Sequence, residues 1–314
     1  MRAWIVSLSL LFCTSGLYGS PFELAVTFDD LPMPTALREP LRRQQSVTRQ
    51  LTLTLAARRI PAVGFVNVNK LLVNGRLDPK RLELLRMWLY AGAELGNHTF
   101  SHLDLHHITL SEFEEEVVRG EEGLRDLVER RGQRLRWFRH PFLHTGTSAE
   151  VRERSERFLQ ERGYRVAPVT IDNADWIFAR AYDVAASVRD AEAMKRIRAD
   201  YVQYMLAKTD YFRAQARQLF GREIPHILLV HANGINADAF GELADALVAE
   251  GARFVTLESA LTDDAYRTAD TWYGRGGISW VHRWSLSAGV KRERRAGEPV
   301  TPPYILRLAN VDSE

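Results

Sequence analysis

The chain has 314 residues, of which 46% are hydrophobic and 26% are charged, so it is long enough to bury one large core. Its 42 basic and 40 acidic side chains give a formal net charge of +2. This near balance does not indicate a nucleic acid as the partner, because a surface that binds nucleic acid carries an excess of basic side chains. The sequence contains no internal repeat, low-complexity tract or Gly/Ser linker, which favours a single domain.

The first 20 residues have the pattern of a secretory signal peptide. Arg2 supplies one positive charge, residues 5–12 are mostly apolar, and small residues follow up to Ser20. The apolar run is too short for a membrane-spanning helix. We therefore predict export to the periplasm or the medium, without stable membrane insertion; a buried first strand or helix is the alternative. The only cysteine, Cys13, would be removed with the signal, which leaves no disulfide.

After residue 20, strand-like and helix-like segments alternate. Apolar, strand-like segments are predicted at residues 22–28, 62–68, 94–99, 136–142, 165–171, 226–230 and 253–257. The alternation predicts a parallel sheet, and the number of units predicts that the sheet closes. The expected fold is therefore α/β, a distorted (β/α) barrel of about seven parallel strands, formed by one domain over residues 21–314.

Two further segments extend this pattern. A long helical insertion is predicted at about residues 182–220, before the sixth strand, and an aromatic-rich extension at about residues 262–314. We expect the insertion to form a packed helical layer; a wall or lid beside the site is the alternative. The aromatic side chains of the extension would either cover the open flank of the barrel or stack on sugars.

Two of the predicted helices carry a recognisable start. Asp78 provides a capping carboxylate and Pro79 occupies the first helical position, which predicts a helix to about Gly92. Ser111 and Glu114 have the spacing of a capping box, which predicts a long charged helix to about residue 131.

Polar side chains follow five of the predicted strands at the point where each strand ends. These clusters are Asp29-Asp30, His98 to His102, Arg139 to Phe142, Asp172 to Trp176, and His231 to Asn233. In a barrel of parallel strands, the carboxyl ends of the strands meet on one face, where the catalytic residues of such folds are found. We therefore expect the five clusters to form one site.

The segment Gly96–His102 contains two histidines four residues apart. Two imidazoles at this spacing can lie on one side of a helical turn and bind one divalent ion. Thr99 occupies the position where the H-E-x-x-H metalloprotease pattern requires a glutamate, so the base and the third ligand must come from elsewhere. Asp29 and Asp30 offer both, because one carboxylate can complete a His-His-Asp site while the other acts on the metal-bound water. The alternatives are a chance spacing of the histidines and an N-cap role for the aspartates.

The other histidines near these clusters have less specific patterns. His106 and His107 continue the spacing from His102, so a shifted ligand set is an alternative, although we expect solvated or packing roles. His140 and His144 could contact a substrate, but we expect both to lie on the rim of the site.

The five clusters, in this order, resemble the five motifs of the NodB-homology polysaccharide deacetylases, carbohydrate esterase family 4. The resemblance runs from Thr27 to His231, about two thirds of the chain. It implies the distorted barrel of that family, a general base at Asp29 and one divalent metal ion. The implied metal ligands are Asp30, His98 and His102.

The resemblance also assigns roles to the third and fourth motifs. In R-x-P-[FY], Arg139 would orient the base and Phe142 would line the groove. In D-x-x-D-W, Asp175 would support the catalytic histidine and Trp176 would form a wall of the acetyl pocket. The alternatives are an ordinary surface ion pair for Arg139 and a core position for Trp176.

In the last motif, L-x-H, the resemblance makes His231 the general acid and places Leu229 against the acetyl methyl group. A general acid must be protonated when the amine leaves. Burial lowers the pKa of an imidazole and a carboxylate partner raises it, and we expect the carboxylate of Asp175 to dominate. Asp29 must instead stay ionised to accept a proton from water, which a neighbouring Arg139 would favour.

The sequence therefore predicts a metal-dependent carbohydrate deacetylase that hydrolyses acetyl groups of a polysaccharide or oligosaccharide and releases acetate. N-acetyl groups are the expected substrate and O-acetyl groups the alternative. We expect one zinc ion as the cofactor, with cobalt, nickel or manganese as alternatives. The competing hypotheses are a hydrolase of a non-glycan amide and a non-catalytic glycan-binding protein with a vestigial metal site. The oligomeric state is left open.

Overall fold

The computed structural model describes residues 20–290 and 296–314. The predicted signal peptide, apart from its last residue, lies outside the described residues and stays a prediction. Within the two described ranges, no helix has both the length and the apolar character needed to cross a membrane.

β1 is the longest strand in the described part of the chain. The strands are β1 (Phe22–Leu31), β2 (Ala62–Val66), β3 (Leu72–Val73), β4 (Arg76–Leu77), β5 (Glu94–Asn97), β6 (Trp137–Phe138), β7 (Arg165–Val166), β8 (His226–His231) and β9 (Ala252–Phe254). The helices are α1 (Leu41–Arg58), α2 (Pro79–Tyr90), α3 (Leu110–Arg119), α4 (Leu124–Glu129), α5 (Ala149–Glu161), α6 (Asp175–Ser187), α7 (Ala191–Phe220), α8 (Gly234–Ala249), α9 (Leu257–Ala260), α10 (Trp280–Ser287) and α11 (Pro303–Ala309). Single 3₁₀ turns lie at Val68–Leu71, Pro141–Leu143 and Asp264–Arg267.

Seven strands form one parallel sheet. Their order is β7-β6-β5-β2-β1-β8, and β9 pairs with the start of β1. After β7, the backbone of residues 170–171 hydrogen-bonds to Ile227 and Leu229 of β8, so the two edges of the sheet meet there. The hairpin β3–β4 lies outside this sheet. The predicted α/β barrel of about seven parallel strands is therefore confirmed, in an irregular form.

Side chains of β1 alternate between the barrel interior and the surrounding helices, as expected for a strand. Leu24, Val26 and Phe28 belong to the large hydrophobic cluster that the helices cover. Ala25 belongs to a smaller cluster with residues of the other strands, among them Phe65, Trp137 and Ile227. Because the strand period is two, Thr27 and Asp29 continue the inward face of Ala25. This alternation brings Asp29 to the mouth of the barrel.

The fourth and fifth strands of the sheet are shorter than predicted. β6 and β7 have two residues each, whereas the sequence pattern predicted strands over 136–142 and 165–171. Pro141 and Pro168 interrupt these segments, and proline has no backbone N–H to donate to a strand ladder. The irregular backbone that results after β6 and β7 contributes to the candidate site.

The two helix starts predicted from sequence differ in outcome. Asp78 caps α2 by accepting a hydrogen bond from Lys80 N at 2.8 Å, which confirms that start. The predicted capping box at Ser111 is wrong, because the box is formed two residues earlier by Thr109 and Glu112, which have the same spacing. The predicted single helix to residue 131 is also wrong, since α3 ends at Arg119 and α4 begins after Gly123, whose φ of 68° favours glycine.

Replacing Thr109 with Ala is expected to lower the free energy of unfolding by about 1 kcal/mol, because the capping hydrogen bond to Glu112 N is lost. The matched control is Ser111→Ala, which changes an exposed hydroxyl in the first turn of the same helix and should have no measurable effect. Chemical denaturation of both variants compares the two positions. A larger loss at Ser111 than at Thr109 would contradict the observed cap.

The insertion and the extension both pack against the barrel. The helical segment begins at Asp175 and not at residue 182, and it consists of α6 and α7. Tyr201 and Tyr204 of α7 are buried, as expected for a packed layer. Trp280 and Trp284 of α10 are also buried, and Trp280 N donates to the Val169 carbonyl beside β7. These two aromatic side chains cover the flank of the barrel.

Candidate active site

The carboxyl ends of the strands enclose a cavity of about 420 Å³. Its lining includes most of the side chains that the sequence analysis assigned to the site: Asp29, Asp30, His98, His102, Phe142, Trp176, Leu229 and His231. Arg139 and Asp175 lie directly behind this lining, in contact with Asp29 and His231. The structure therefore brings all of the sequence-predicted site residues together.

An irregularity at the end of β1 allows two adjacent carboxylates to face the same cavity. Neighbouring residues of a regular strand point to opposite faces. Between Phe28 and Leu31 the register of β1 with β2 shifts, and Asp30 has a φ of 70°. This bulge turns the side chain of Asp30 towards the cavity that Asp29 also lines.

His98 and His102 lie on a loop and not on the helical turn suggested by their spacing. Thr99 and His102 have left-handed φ angles of 66° and 64°. The side chain of Asn97 stabilises the turn by accepting a hydrogen bond from Thr99 N at 2.8 Å. The two imidazole centroids are 4.9 Å apart. The rings meet as expected, but a left-handed loop brings them together.

Asp30, His98 and His102 form a group that fits a divalent metal ion. One potential ligand atom from each residue lies within 4.8 Å of the others. His98 Nδ1 donates to the carbonyl oxygen of Arg139 at 2.8 Å, which leaves its Nε2 as a lone-pair donor. Burial lowers the pKa of both imidazoles, so both are held in the neutral form that binds metals.

Asp30 is the anionic member of this group. Burial would raise the pKa of Asp30, but the ammonium of Lys70 and the neighbouring imidazoles outweigh burial and lower it. Lys70 Nζ lies 2.8 Å from Asp30 Oδ1. Lys70 was not predicted as a site residue, and its signal in the sequence is a lysine inside the apolar segment that follows β2.

Asp29 and Arg139 form a buried ion pair beside the metal-binding group. Arg139 Nη1 lies 3.2 and 3.3 Å from the two carboxylate oxygens, and Nη2 donates to Thr27 Oγ1 at 3.0 Å. Arg139 is 0% exposed, so the surface ion pair considered for it is wrong. Burial raises the pKa of Asp29 and outweighs the arginine, which lowers it. Arg139 therefore holds the carboxylate in place, while burial makes Asp29 more basic than expected.

His231 and Asp175 form a hydrogen-bonded pair, and His231 is the register partner of Asp29 on the neighbouring strand. His231 Nδ1 donates to Asp175 Oδ1 at 2.7 Å, and its Nε2 lies 3.9 Å from Asp30 Oδ2. Burial lowers the pKa of His231, but Asp175, with smaller contributions from Asp30 and Asp29, outweighs burial, and the pKa is raised to about 9. The expected dominance of the carboxylate is confirmed.

Asp175 is itself held by three more hydrogen bonds. Its Oδ2 accepts from the backbone N–H of His231 and from the side-chain amides of Asn233 and Asn236, at 2.7 to 3.0 Å. Asn236 was not predicted as a site residue, although its place in the first turn of α8, just after the strand-end histidine, was an available signal. These contacts fix the orientation of the His231 imidazole.

Two exposed aromatic side chains form the walls of the cavity. Phe142 is 54% exposed and Trp176 46% exposed, so the core position considered for Trp176 is wrong. The Phe142 ring meets the His102 ring edge-on with centroids 4.5 Å apart, and Leu229 adds a buried apolar surface. Gly277 of the C-terminal extension also lines the cavity. A Cβ at this position would lie 1.7 Å from the Phe142 carbonyl oxygen, so only glycine fits there.

His106, His144 and Asp104 form a second group that does not line this cavity. Their potential ligand atoms also lie within 4.8 Å of one another. His144 Nδ1 and Asp104 Oδ1 are 2.7 Å apart, which is a hydrogen-bond distance, and the rings of His106 and His144 are stacked at 3.9 Å. The shifted ligand set considered for His106 is therefore not assembled around Asp30.

His140 is buried, so its predicted position on the rim is wrong. Its ring stacks on Phe113 at a centroid distance of 5.6 Å, inside the layer between β6 and α3. Burial lowers the pKa of His140 to about 3, so the ring is neutral. His140 is a packing residue.

Comparison with known proteins gives consistent results. The family model described as polysaccharide deacetylase matches residues 19–165. A peptidoglycan-N-acetylglucosamine deacetylase of Bacillus cereus is 23% identical over 264 residues, which cover 82% of this chain and 74% of the relative.

Two solved structures are also similar to this chain. One is a family 4 carbohydrate esterase from Streptomyces lividans in complex with acetate, at 16% identity and a TM-score of 0.47, covering 76% of this chain and 95% of that one. The other is a CE4 family pseudoenzyme from Bacillus anthracis, at 13% identity and a TM-score of 0.47, covering 78% of this chain and 66% of that one.

The family match begins just before β1 and includes the segments that supply the aspartate pair, the two site histidines and the buried arginine. The remaining site residues, from Asp175 to His231, lie beyond this match and come to the same cavity through the fold. The match shows a polysaccharide deacetylase domain that begins just before β1, and the similarity to the relative from Bacillus cereus extends over most of the chain.

Proposed function

We propose that this protein is an exported, metal-dependent hydrolase that removes N-acetyl groups from an amino sugar of a polysaccharide or oligosaccharide and releases acetate. The observation that supports this function is the content of one cavity. The same cavity of 420 Å³ is surrounded by three groups of side chains. They are a possible metal-binding triad, a buried carboxylate with its arginine, and a histidine supported by a carboxylate. Such a set provides a base, an acid and an ion site for the hydrolysis of an amide.

The ion site is formed by Asp30, His98 and His102, and we propose zinc as its metal because two imidazoles and one carboxylate are typical zinc ligands. A bound divalent ion would supply Lewis acidity, which polarises a carbonyl group and lowers the pKa of a water molecule. The neutral state of the two imidazoles and the ionised state of Asp30 suit this role.

Asp29 and His231 provide the two proton transfers. Asp29 accepts a proton from water as the water oxygen bonds to the carbonyl carbon of the acetyl group, and its raised pKa makes it a stronger base. His231 donates its Nε2 proton to the nitrogen as the C–N bond breaks, since its Nδ1 is engaged by Asp175. The products are acetate and the free amine. An O-acetyl ester needs the same two transfers and is the second substrate class.

The walls of the cavity support a sugar as the substrate. The exposed rings of Phe142 and Trp176 offer flat apolar surfaces of the kind that stack on sugar faces, and Leu229 offers an apolar contact for a methyl group. The relative from Bacillus cereus is named for N-acetylglucosamine of peptidoglycan. We therefore propose peptidoglycan as the first glycan to test, in line with the predicted signal peptide.

The purified protein is expected to release acetate from N-acetylglucosamine oligomers or peptidoglycan fragments. Activity should disappear after dialysis against a chelator and return on addition of Zn²⁺, with Co²⁺, Ni²⁺ and Mn²⁺ as comparison ions. An enzymatic acetate assay measures both steps. A metal-loaded protein that releases no acetate from these substrates or from acetylated xylan would contradict the proposed function. Release from small N-acetylated amines alone would favour a hydrolase of non-glycan amides.

A glycan-binding protein with a vestigial site is the second candidate. The exposed Phe142 and Trp176 favour it, because binding alone would use them in the same way. The intact Asp29–Arg139 and His231–Asp175 pairs favour the hydrolase, since a binding protein does not need a base or an acid.

A further inference from the structure

A buried lysine lies under the candidate metal ligands. Lys70 follows β2 in the 3₁₀ turn Val68–Leu71 and is 7% exposed. Its Nζ donates to Asp30 Oδ1 at 2.8 Å and to Asn67 Oδ1 at 2.8 Å, and lies 3.4 Å from the Asp30 carbonyl oxygen. Three acceptors match the three protons of an ammonium group. Lys70 does not line the cavity, so it acts on the site through Asp30 and not on a substrate.

The surrounding hydrogen bonds hold Lys70 in this position. Asn67 donates from Nδ2 to the carbonyl oxygen of His98 at 2.6 Å, so Asn67 connects the lysine to a second candidate ligand. Arg81 donates to the carbonyl oxygen of Lys70 at 2.6 Å and fixes its backbone. The ends of β1, β2 and β5, which are neighbours in the sheet, are thereby joined around one ammonium group.

Each aspartate of the Asp29-Asp30 pair has its own buried cation. Arg139 pairs with Asp29, and Lys70 pairs with Asp30. In the first pair both residues belong to the five sequence motifs, whereas in the second pair only Asp30 does. Two adjacent buried carboxylates without partners would be strongly unfavourable, and these two cations balance their charge before any metal ion binds.

Resting on the proposed function, we propose that Lys70 is a positioning residue that compensates the charge of Asp30 and thereby weakens the binding of a divalent ion at this site. A hydrogen-bond partner that is an anion or a carbonyl increases the basicity of a metal ligand and strengthens binding. A cationic donor has the opposite effect, because it withdraws charge from the ligand and repels the incoming ion.

The test compares three substitutions of Lys70 in the full-length protein after removal of metal. Lys70→Gln removes the charge and keeps a donor, Lys70→Met removes both, and Lys70→Arg keeps the charge. Lys80→Met changes an exposed lysine in α2 and is the matched control. The dissociation constants of Zn²⁺ and Co²⁺ are measured by competition with a chromophoric chelator. This readout does not require any deacetylase activity.

The Gln and Met variants are expected to bind both ions at least about tenfold more tightly than the wild type, and the Arg and Lys80→Met variants to bind like the wild type. Unchanged or weaker binding in the charge-free variants would overturn the role of Lys70 while leaving the proposed function intact. If Lys70→Met does not fold, as judged by circular dichroism, Lys70→Gln decides by itself. A wild-type protein that binds neither ion would overturn both the role of Lys70 and the proposed metal dependence.

Discussion

Replacing Asp29 with Asn is expected to reduce kcat by about 10²- to 10⁴-fold, the range associated with the loss of a general base. The amide of Asn has nearly the shape of the carboxylate but cannot accept the proton of the attacking water. Metal content and affinity for a glycan should be retained, because Asp29 does not belong to the candidate triad of Asp30, His98 and His102. Acetate release and metal content are measured on the same preparation.

The same substitution is expected to reduce stability, because it leaves the guanidinium of Arg139 buried without its anion. Breaking such a pair costs about 3–5 kcal/mol, so the assay temperature must lie well below the measured unfolding temperature of the variant. Asp245→Asn is the control, since Asp245 pairs with Arg58 on the surface, far from the cavity. An unchanged rate in Asp29→Asn would refute its role as the base and favour the glycan-binding protein.

Replacing Asp175 with Asn is expected to reduce kcat by one or two orders of magnitude, roughly the contribution of general-acid assistance. His231 acts as an acid only while protonated, and its pKa of about 9 keeps it protonated at neutral pH. Without the carboxylate of Asp175, burial is opposed only by the smaller effects of Asp30 and Asp29, so the pKa of the imidazole falls. The alkaline limb of the kcat–pH profile should therefore move to lower pH. Profiles measured between about pH 5 and pH 10 compare the variant with the wild type.

Metal content distinguishes the roles that Asp175 could have. It should be unchanged in Asp175→Asn, because the carboxylate is engaged by His231, Asn233 and Asn236 and not by the candidate ligands. Loss of metal would show that Asp175 is a ligand and that the assignment of Asp30 is wrong. An unchanged rate and profile would refute the supporting role. Asp190→Asn is the control, because Asp190 is also an aspartate at the start of a helix, α7, but lies outside the cavity.

Most of the fold could be predicted from local sequence patterns. The apolar runs of β1, β2 and β8 and the capping residue of α2 are each recognisable within a few consecutive residues. The same patterns failed for β6, β7 and the break after α3, where Pro141, Pro168 and Gly123 change the backbone within otherwise regular segments. Such interruptions are local, and their positions were visible in the sequence.

The sequence by itself determined which chemical groups meet at the mouth of the barrel, because parallel strands place their carboxyl ends on one face and each cluster directly follows a strand. Only the tertiary structure decided how these groups are tuned. Asp29 is buried against Arg139, and Lys70 approaches Asp30; both contacts join residues 40 or more positions apart. The bulge that turns Asp30 depends on the pairing with the neighbouring strand. Desolvation and charge pairing act through space, so no local pattern could show that burial outweighs Arg139 at Asp29 or that Asp30 has a lysine of its own.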